Sequence, residues 1–244
     1  MELINIYKTL LERYGKQGWW SARTKKDKMT FKESRLSCQG KKYYTFLNNK
    51  KWEMCTGAIL TQNTAWSNVE SALDNLIKAD VLNIEKMASM PLSKLEKLIK
   101  PSGFYKQKAV RLRNFARFVL SHGSVDNFYR KIEREELLKQ NGIGPETADS
   151  ILLYACDKPY FVIDAYTQRI FSRIGIKPNG LTGIHKKDYE LWRKLFEQNL
   201  PNNIKLYKEY HALIVKHAKH NCRKKSNCDD CIFYKSCKRI DSCA

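Results

Sequence analysis

The sequence predicts an all-α protein of two helical lobes, and three observations predict it. Apolar residues recur at helical spacing through most of the 244 residues, and the prolines at 91, 101 and 159 fall between the periodic segments. The one β-like run, Tyr160 to Ile163, is too short to build a sheet. With 43% hydrophobic residues the chain can bury a core, which excludes wholesale disorder.

Taken in order, Leu3, Ile6, Tyr7, Leu10 and Leu11 share one face of a first helix, Met1 to Tyr14, and Gly15 to Gly18 ends it. Residues 21–50 read as an irregular basic surface insertion, in which Arg23, Lys25, Lys26, Lys28, Lys32, Arg35, Lys41, Lys42 and Lys50 face only Asp27 and Glu33. Helical periodicity then predicts Trp52–Leu60, Trp66–Lys78, Asn83–Met87, Ser93–Ile99, Lys106–Ser121, Arg134–Gln140, Glu146–Cys156 and Ala165–Ile174. After Pro178 and Gly180, Lys187–Gln198 and Ile204–His220 complete the set. The expected lobes are residues 51–163, carrying a hairpin of helices at about 134–156, and residues 1–20 together with 164–244.

Lysine and arginine number 45 against 25 aspartates and glutamates, a formal charge of +20. Such a surface attracts polyanions, and nucleic acid is the first candidate. No apolar run approaches the ~20 residues of a membrane span, and Met1 to Leu10 lacks the basic-then-apolar pattern of a secretory leader. The expectation is therefore a cytoplasmic, nucleoid-associated monomer. Four of the eight cysteines crowd into Cys222-x5-Cys228-x2-Cys231-x5-Cys237, which in a chain without a leader points to metal ligation. Four thiolates can close on one zinc or on an iron-sulfur cubane. Cys55 and Cys156 read as small buried hydrophobes, and His211, His217 and His220 as partly exposed residues of the preceding helix.

The most informative stretch is Leu137-Leu138-Lys139-Gln140-Asn141-Gly142-Ile143-Gly144-Pro145-Glu146-Thr147-Ala148. Gly142 and Gly144 bracket Ile143, so the backbone turns tightly while the isoleucine anchors the turn in the core. Pro145 suits the first position of the next helix, whose free N–H groups can meet a phosphate. Downstream, Asp164 leaves the apolar run Tyr160 to Ile163 just ahead of a new helix, where it is either an N-cap or a carboxylate placed for chemistry.

These residues resemble the helix-hairpin-helix, Gly/Pro-Asp superfamily of DNA glycosylases. Gly142 to Ala148 with Val162-Ile163-Asp164 carries the resemblance, supported by Gly57-Ala58-Ile59-Leu60-Thr61-Gln62-Asn63-Thr64 and by Pro101 to Ala109. The resemblance implies two lobes flanking a DNA-binding cleft. It makes Asp164 the catalytic carboxylate, Gly142, Ile143, Gly144, Lys106 and Lys108 DNA-binding residues, and Gln62 the residue that fills the gap left by an extruded base. It also implies a 4Fe-4S cluster on Cys222, Cys228, Cys231 and Cys237, although the first spacing is one residue shorter than in endonuclease III. Bifunctional members carry a lysine two residues after the second hairpin glycine, where this chain has Glu146; glutamate forms no imine, which implies a monofunctional enzyme. Trp19, Trp20 and Trp66 resemble the base-stacking aromatics of the 3-methyladenine glycosylase branch, while Leu213 stands where that branch has a lysine. The favoured substrate is an alkylated purine. The alternatives are an endonuclease III-like lyase on pyrimidine lesions and a non-catalytic iron-sulfur DNA-binding protein.

Overall fold

The structure, a computed structural model, describes residues 2–18, 41–183, 185–223 and 227–238. Among these residues all regular structure is helical. No described helix is long and apolar enough to cross a membrane. The chain divides into two compact units, Trp20–Cys156 and Met1–Trp19 with Asp157–Ala244.

The first unit begins with α1 (Leu3–Tyr14) and is completed by α10 (Ala165–Arg173), α11 (His185–Asn199) and α12 (Ile204–His220). Leu3, Ile6 and Leu10 form the buried stripe of α1, which packs on α12, and the Tyr210 hydroxyl donates to the Leu3 carbonyl at 2.8 Å. The run at Tyr160 to Ile163 forms no strand. Side chains satisfy its amides instead: Phe161 N donates to Glu197 Oε1 at 3.0 Å and Ile163 N to the Tyr189 hydroxyl at 3.4 Å. Phe161 stacks on Phe196 with centroids 4.4 Å apart and meets Tyr207 and Tyr210 edge-on. This aromatic packing places residues 157–163 with α11 and α12, not in the hairpin lobe where the sequence reading put them.

The second unit holds α2 (Lys41–Leu60), α3 (Trp66–Lys78), α4 (Ile84–Ser89), α5 (Leu92–Ile99), α6 (Tyr105–Leu120), α7 (Val125–Lys131), α8 (Arg134–Leu138) and α9 (Pro145–Ser150). Leu112, Phe115, Ala116 and Val119 give α6 its apolar stripe. Phe115 stacks on Trp52 of α2 and meets Phe128 of α7 edge-on, both at 6.0 Å. Three features differ from the expectation. Residues 41–50 continue α2 instead of belonging to an irregular insertion, and the rest of that insertion lies outside the described residues. Helix α7 was not predicted because two turns are too few for a periodicity; its start is marked by Ser124, whose hydroxyl accepts from Asn127 N at 3.1 Å. The helix from Glu146 to Cys156 is α only to Ser150 and then widens into a π turn, Ile151–Ala155, closed by Cys156 N to Ile151 O at 3.1 Å. All five π-turn residues are buried, so the turn follows the packing of its side chains against α2.

Candidate active site

In the second unit, α8 and α9 form the hairpin. Gly142 has φ +80, which favours glycine, and a Cβ there would meet Arg111 Nε at 2.1 Å and so have to displace that side chain. Gly144 does not need that freedom: its φ is −89, and an added Cβ would meet nothing within 4 Å. Glycine there leaves the approach to the α9 amides open. Ile143 is buried and Pro145 opens α9. Arg134 of α8 clamps Asp149 of α9 with Nε to Oδ1 at 2.6 Å and Nη2 to Oδ2 at 3.1 Å, an ion pair withdrawn from solvent.

Gln62 is drawn into this hairpin. Its Nε2 donates to Gly142 O at 2.8 Å and to Thr147 Oγ1 at 3.0 Å, while its Oε1 accepts from Arg111 Nη1 at 2.7 Å. Three segments far apart in sequence thus meet on one amide. Lys108, read as a DNA contact, is not one. It is 1% exposed, and its Nζ donates to the carbonyls of Leu60 at 2.8 Å and Ser102 at 2.7 Å, tying the end of α2 to the turn before α6. Burial, with Arg111 adding to it, lowers its pKa to about 8. Lys106 is exposed as expected, and next to it Phe104 is 63% exposed in the left-handed region at φ 45, an aromatic that the sequence reading passed over. Trp66 is half-buried at the start of α3; Trp19 and Trp20 lie outside the described residues.

In the first unit, Asp164 caps α10 with one oxygen only. Oδ1 accepts from Thr167 N at 2.7 Å and Thr167 Oγ1 at 2.8 Å; Oδ2 lies 3.4 Å from His211 Nε2. N-cap and chemically placed carboxylate are therefore compatible readings, because they use different oxygens. Burial pushes the carboxyl pKa up, but His211 and Thr167 together outweigh it and hold the group below its ordinary value. His211 and His217 are buried, not partly exposed, because α12 is enclosed on most of its circumference from Tyr210 to Val215; His220 is exposed.

The cysteine segment closes around the ends of α10 and α12. None of the six described cysteines forms a disulfide. Asn221 O accepts from Asn227 N at 2.9 Å, which brings the chain back from Cys222 to Cys228, and turns at Cys228–Cys231 and Tyr234–Cys237 follow. Arg173 Nη1 donates to Cys222 Sγ at 3.0 Å and Arg169 holds the Cys222 carbonyl; the Arg173 carbonyl accepts from Lys238 N at 2.7 Å. Cys231 Sγ lies 3.8 Å from His217 Nε2. Among the described residues no three His, Cys, Asp or Glu side chains converge on a single ion. The donor chemistry, four thiols in one anchored loop with a guanidinium donor on the first, fits an iron-sulfur group.

The family model for the HhH-GPD superfamily base excision DNA repair protein matches residues 56–201, a span that includes both the hairpin and Asp164. The chain belongs to this HhH-GPD superfamily. The Methanocaldococcus jannaschii protein MJ1434, provisionally named a DNA repair glycosylase, is 42% identical over 241 residues, covering 96% of this chain and 95% of its own. Endonuclease III of Thermotoga maritima is 28% identical over 184 residues, 74% of this chain and 79% of that one. Among solved structures, the H. pylori 3-methyladenine DNA glycosylase MagIII bound to 1,N6-ethenoadenine is similar with a TM-score of 0.62 and 35% identity, over 68% of this chain and 84% of that one. A non-covalent endonuclease III–DNA complex shares the HhH-GPD fold with a TM-score of 0.65 at 18% identity, over 79% and 85% of the two chains.

Proposed function

We propose that this HhH-GPD protein is a monomeric, monofunctional DNA glycosylase that hydrolyses the N-glycosidic bond of alkylated purines in double-stranded DNA. The observation that carries the reading is Asp164, a largely enclosed carboxylate held ionised, with one oxygen tied to the helix and the other facing His211. When the C1′–N bond breaks, the base departs with the bonding electrons and the sugar gains cation character, which a fixed anion stabilises. Water adds its oxygen to C1′, and its proton passes to Asp164 or to solvent. An ionised aspartate cannot protonate a leaving base. An alkylated purine needs no such acid, since it carries positive charge and leaves neutral. The likeness of Trp19, Trp20 and Trp66 to base-stacking aromatics supports the same choice, since a cation stacked on an aromatic face gains about 0.5–2 kcal/mol over a neutral base. The 35% identity to a 3-methyladenine glycosylase supports the same substrate class. Glu146 in place of a lysine supports hydrolysis without strand cleavage. On DNA, the open approach at Gly144, exposed Lys106 and exposed Phe104 supply phosphate contact and a face for base stacking. Cytoplasmic DNA around the nucleoid is the proposed location.

The test is incubation with dimethyl sulfate-treated duplex DNA, in parallel with duplexes carrying one oxidised pyrimidine, each with and without borohydride. The expected result is free 3-methyladenine, uncut abasic strands and no covalent adduct. Release of a pyrimidine alone, or an efficiently trapped adduct, overturns the reading.

Cys222, Cys228, Cys231 and Cys237 are proposed to hold a 4Fe-4S cluster, whose contribution when bound is to cross-link the loop anchored by Arg169 and Arg173. Protein purified without oxygen should be brown and contain about four irons per chain. Colourless protein with one zinc would sink the assignment.

A further inference from the structure

We propose that His211 is the positioning residue for Asp164, setting the plane of the catalytic carboxylate through its second oxygen. The inference rests on the reading of Asp164 as the catalytic group and names what holds it. Thr167 donates twice to Oδ1 and not to Oδ2, and a carboxylate anchored through one oxygen still rotates about its last torsion. The atom that faces Oδ2 is His211 Nε2, at 3.4 Å, an ion-pair distance a little beyond the usual range of about 2.7–3.2 Å for an N–H···O hydrogen bond. Both side chains are withdrawn from solvent, with 8% of His211 and 13% of Asp164 exposed, so their interaction is weakly screened.

The setting makes this pairing specific. His211 interrupts a stretch of α12 in which Tyr210, Ala212, Leu213, Ile214 and Val215 are all buried, and a polar ring is costly there unless a partner receives it. With Nε2 carrying its proton, a shift of a few tenths of an ångström lets the ring donate to Oδ2, so that the carboxylate is held at both oxygens. A charge meant to stabilise a developing sugar cation loses much of its effect if it swings away, and a displacement near 1 Å can cost about a hundredfold in rate. The groups acting on the carboxylate are His211 from α12 and Thr167 from its own helix; the Tyr189 hydroxyl of α11 stands one residue back, at the Ile163 amide.

The experiment compares His211→Leu, His211→Asn, His211→Gln and Asp164→Asn in the full chain. Glutamine reaches about as far as the Nε2 edge of histidine, whereas asparagine is polar but one bond shorter. Single-turnover release of 3-methyladenine from dimethyl sulfate-treated DNA should fall about ten- to a hundredfold in the leucine and asparagine variants and return to within about threefold in the glutamine variant. Affinity for a duplex carrying a tetrahydrofuran abasic analogue should hold in all of them. The acid limb of the rate should move to higher pH in His211→Leu, because the carboxyl loses a group that favours its ionised form. A carbon-13 NMR titration of labelled aspartate reads the same shift without any substrate. Equal rates for glutamine and asparagine, or an Asp164 titration unmoved by the loss of His211, overturn the proposal. Full activity in Asp164→Asn instead overturns the assignment of the catalytic group. If the unmodified chain leaves the methylated DNA intact, only the substrate reading falls, and the NMR titration still decides on His211.

Discussion

Asp164→Asn is expected to slow base excision by about 100- to 1000-fold while leaving the fold and DNA affinity nearly unchanged. Asparagine caps helices as well as aspartate does, so the bond from Thr167 N to Oδ1 and the start of α10 survive the change. What disappears is the negative charge on the oxygen facing His211. Single-turnover excision and an electrophoretic shift assay, run side by side, separate the two effects, and a variant that retains more than about a tenth of the rate would remove Asp164 from the mechanism. The midpoint of Asp164 protonation in the unmodified chain should lie below the ordinary aspartate value of about 3.9, since His211 and Thr167 hold the group below it.

Asp149→Leu is expected to destabilise the hairpin unit by about 3–5 kcal/mol, because Arg134 would remain charged and buried without its clamp. At about 2–4 °C per kcal/mol for a chain of this size, that lowers the melting temperature by roughly 6–20 degrees. Arg134→Met should cost a similar amount. The double variant should recover most of the loss, since two apolar side chains leave no orphaned charge. Thermal or urea melts of the three variants check this, and a double variant less stable than either single one would show that the pair contributes more than mutual neutralisation.

What could be read from the sequence was what neighbouring residues decide together. The turn at Gly142 with Ile143 beneath it, Pro145 opening α9 and Asp164 opening α10 are local events, and each stands where spacing put it. Helices α3 and α12 begin and end as their periodicity predicts. The misses arise where a side chain's partner lies far along the chain. The resemblance of Pro101 to Ala109 makes Lys106 and Lys108 alike as DNA contacts, yet the carbonyls of Leu60 and Ser102 claim Lys108. Gln62 bonds to Gly142 across a separation of 80 residues, and nothing in the order of residues marks Arg111 as the group that completes the arrangement. Helix position alone makes His211 read as partly exposed, because nothing local in the sequence shows that α12 is buried on both sides.

The unit that contains Asp164 is assembled from both ends of the chain, with Trp20–Cys156 inserted between them. During synthesis, α1 leaves the ribosome long before α12, but its apolar stripe packs on α12, and the Leu3 carbonyl waits for a hydroxyl 207 residues later. At about 5–20 residues per second, the delay is on the order of ten to forty seconds. The hairpin unit, being continuous, can be complete before α12 has been translated. The half that carries Asp164, the proposed catalytic carboxylate, is thus the half that matures last, so a nascent chain can complete its hairpin well before the proposed centre for cutting a glycosidic bond is assembled.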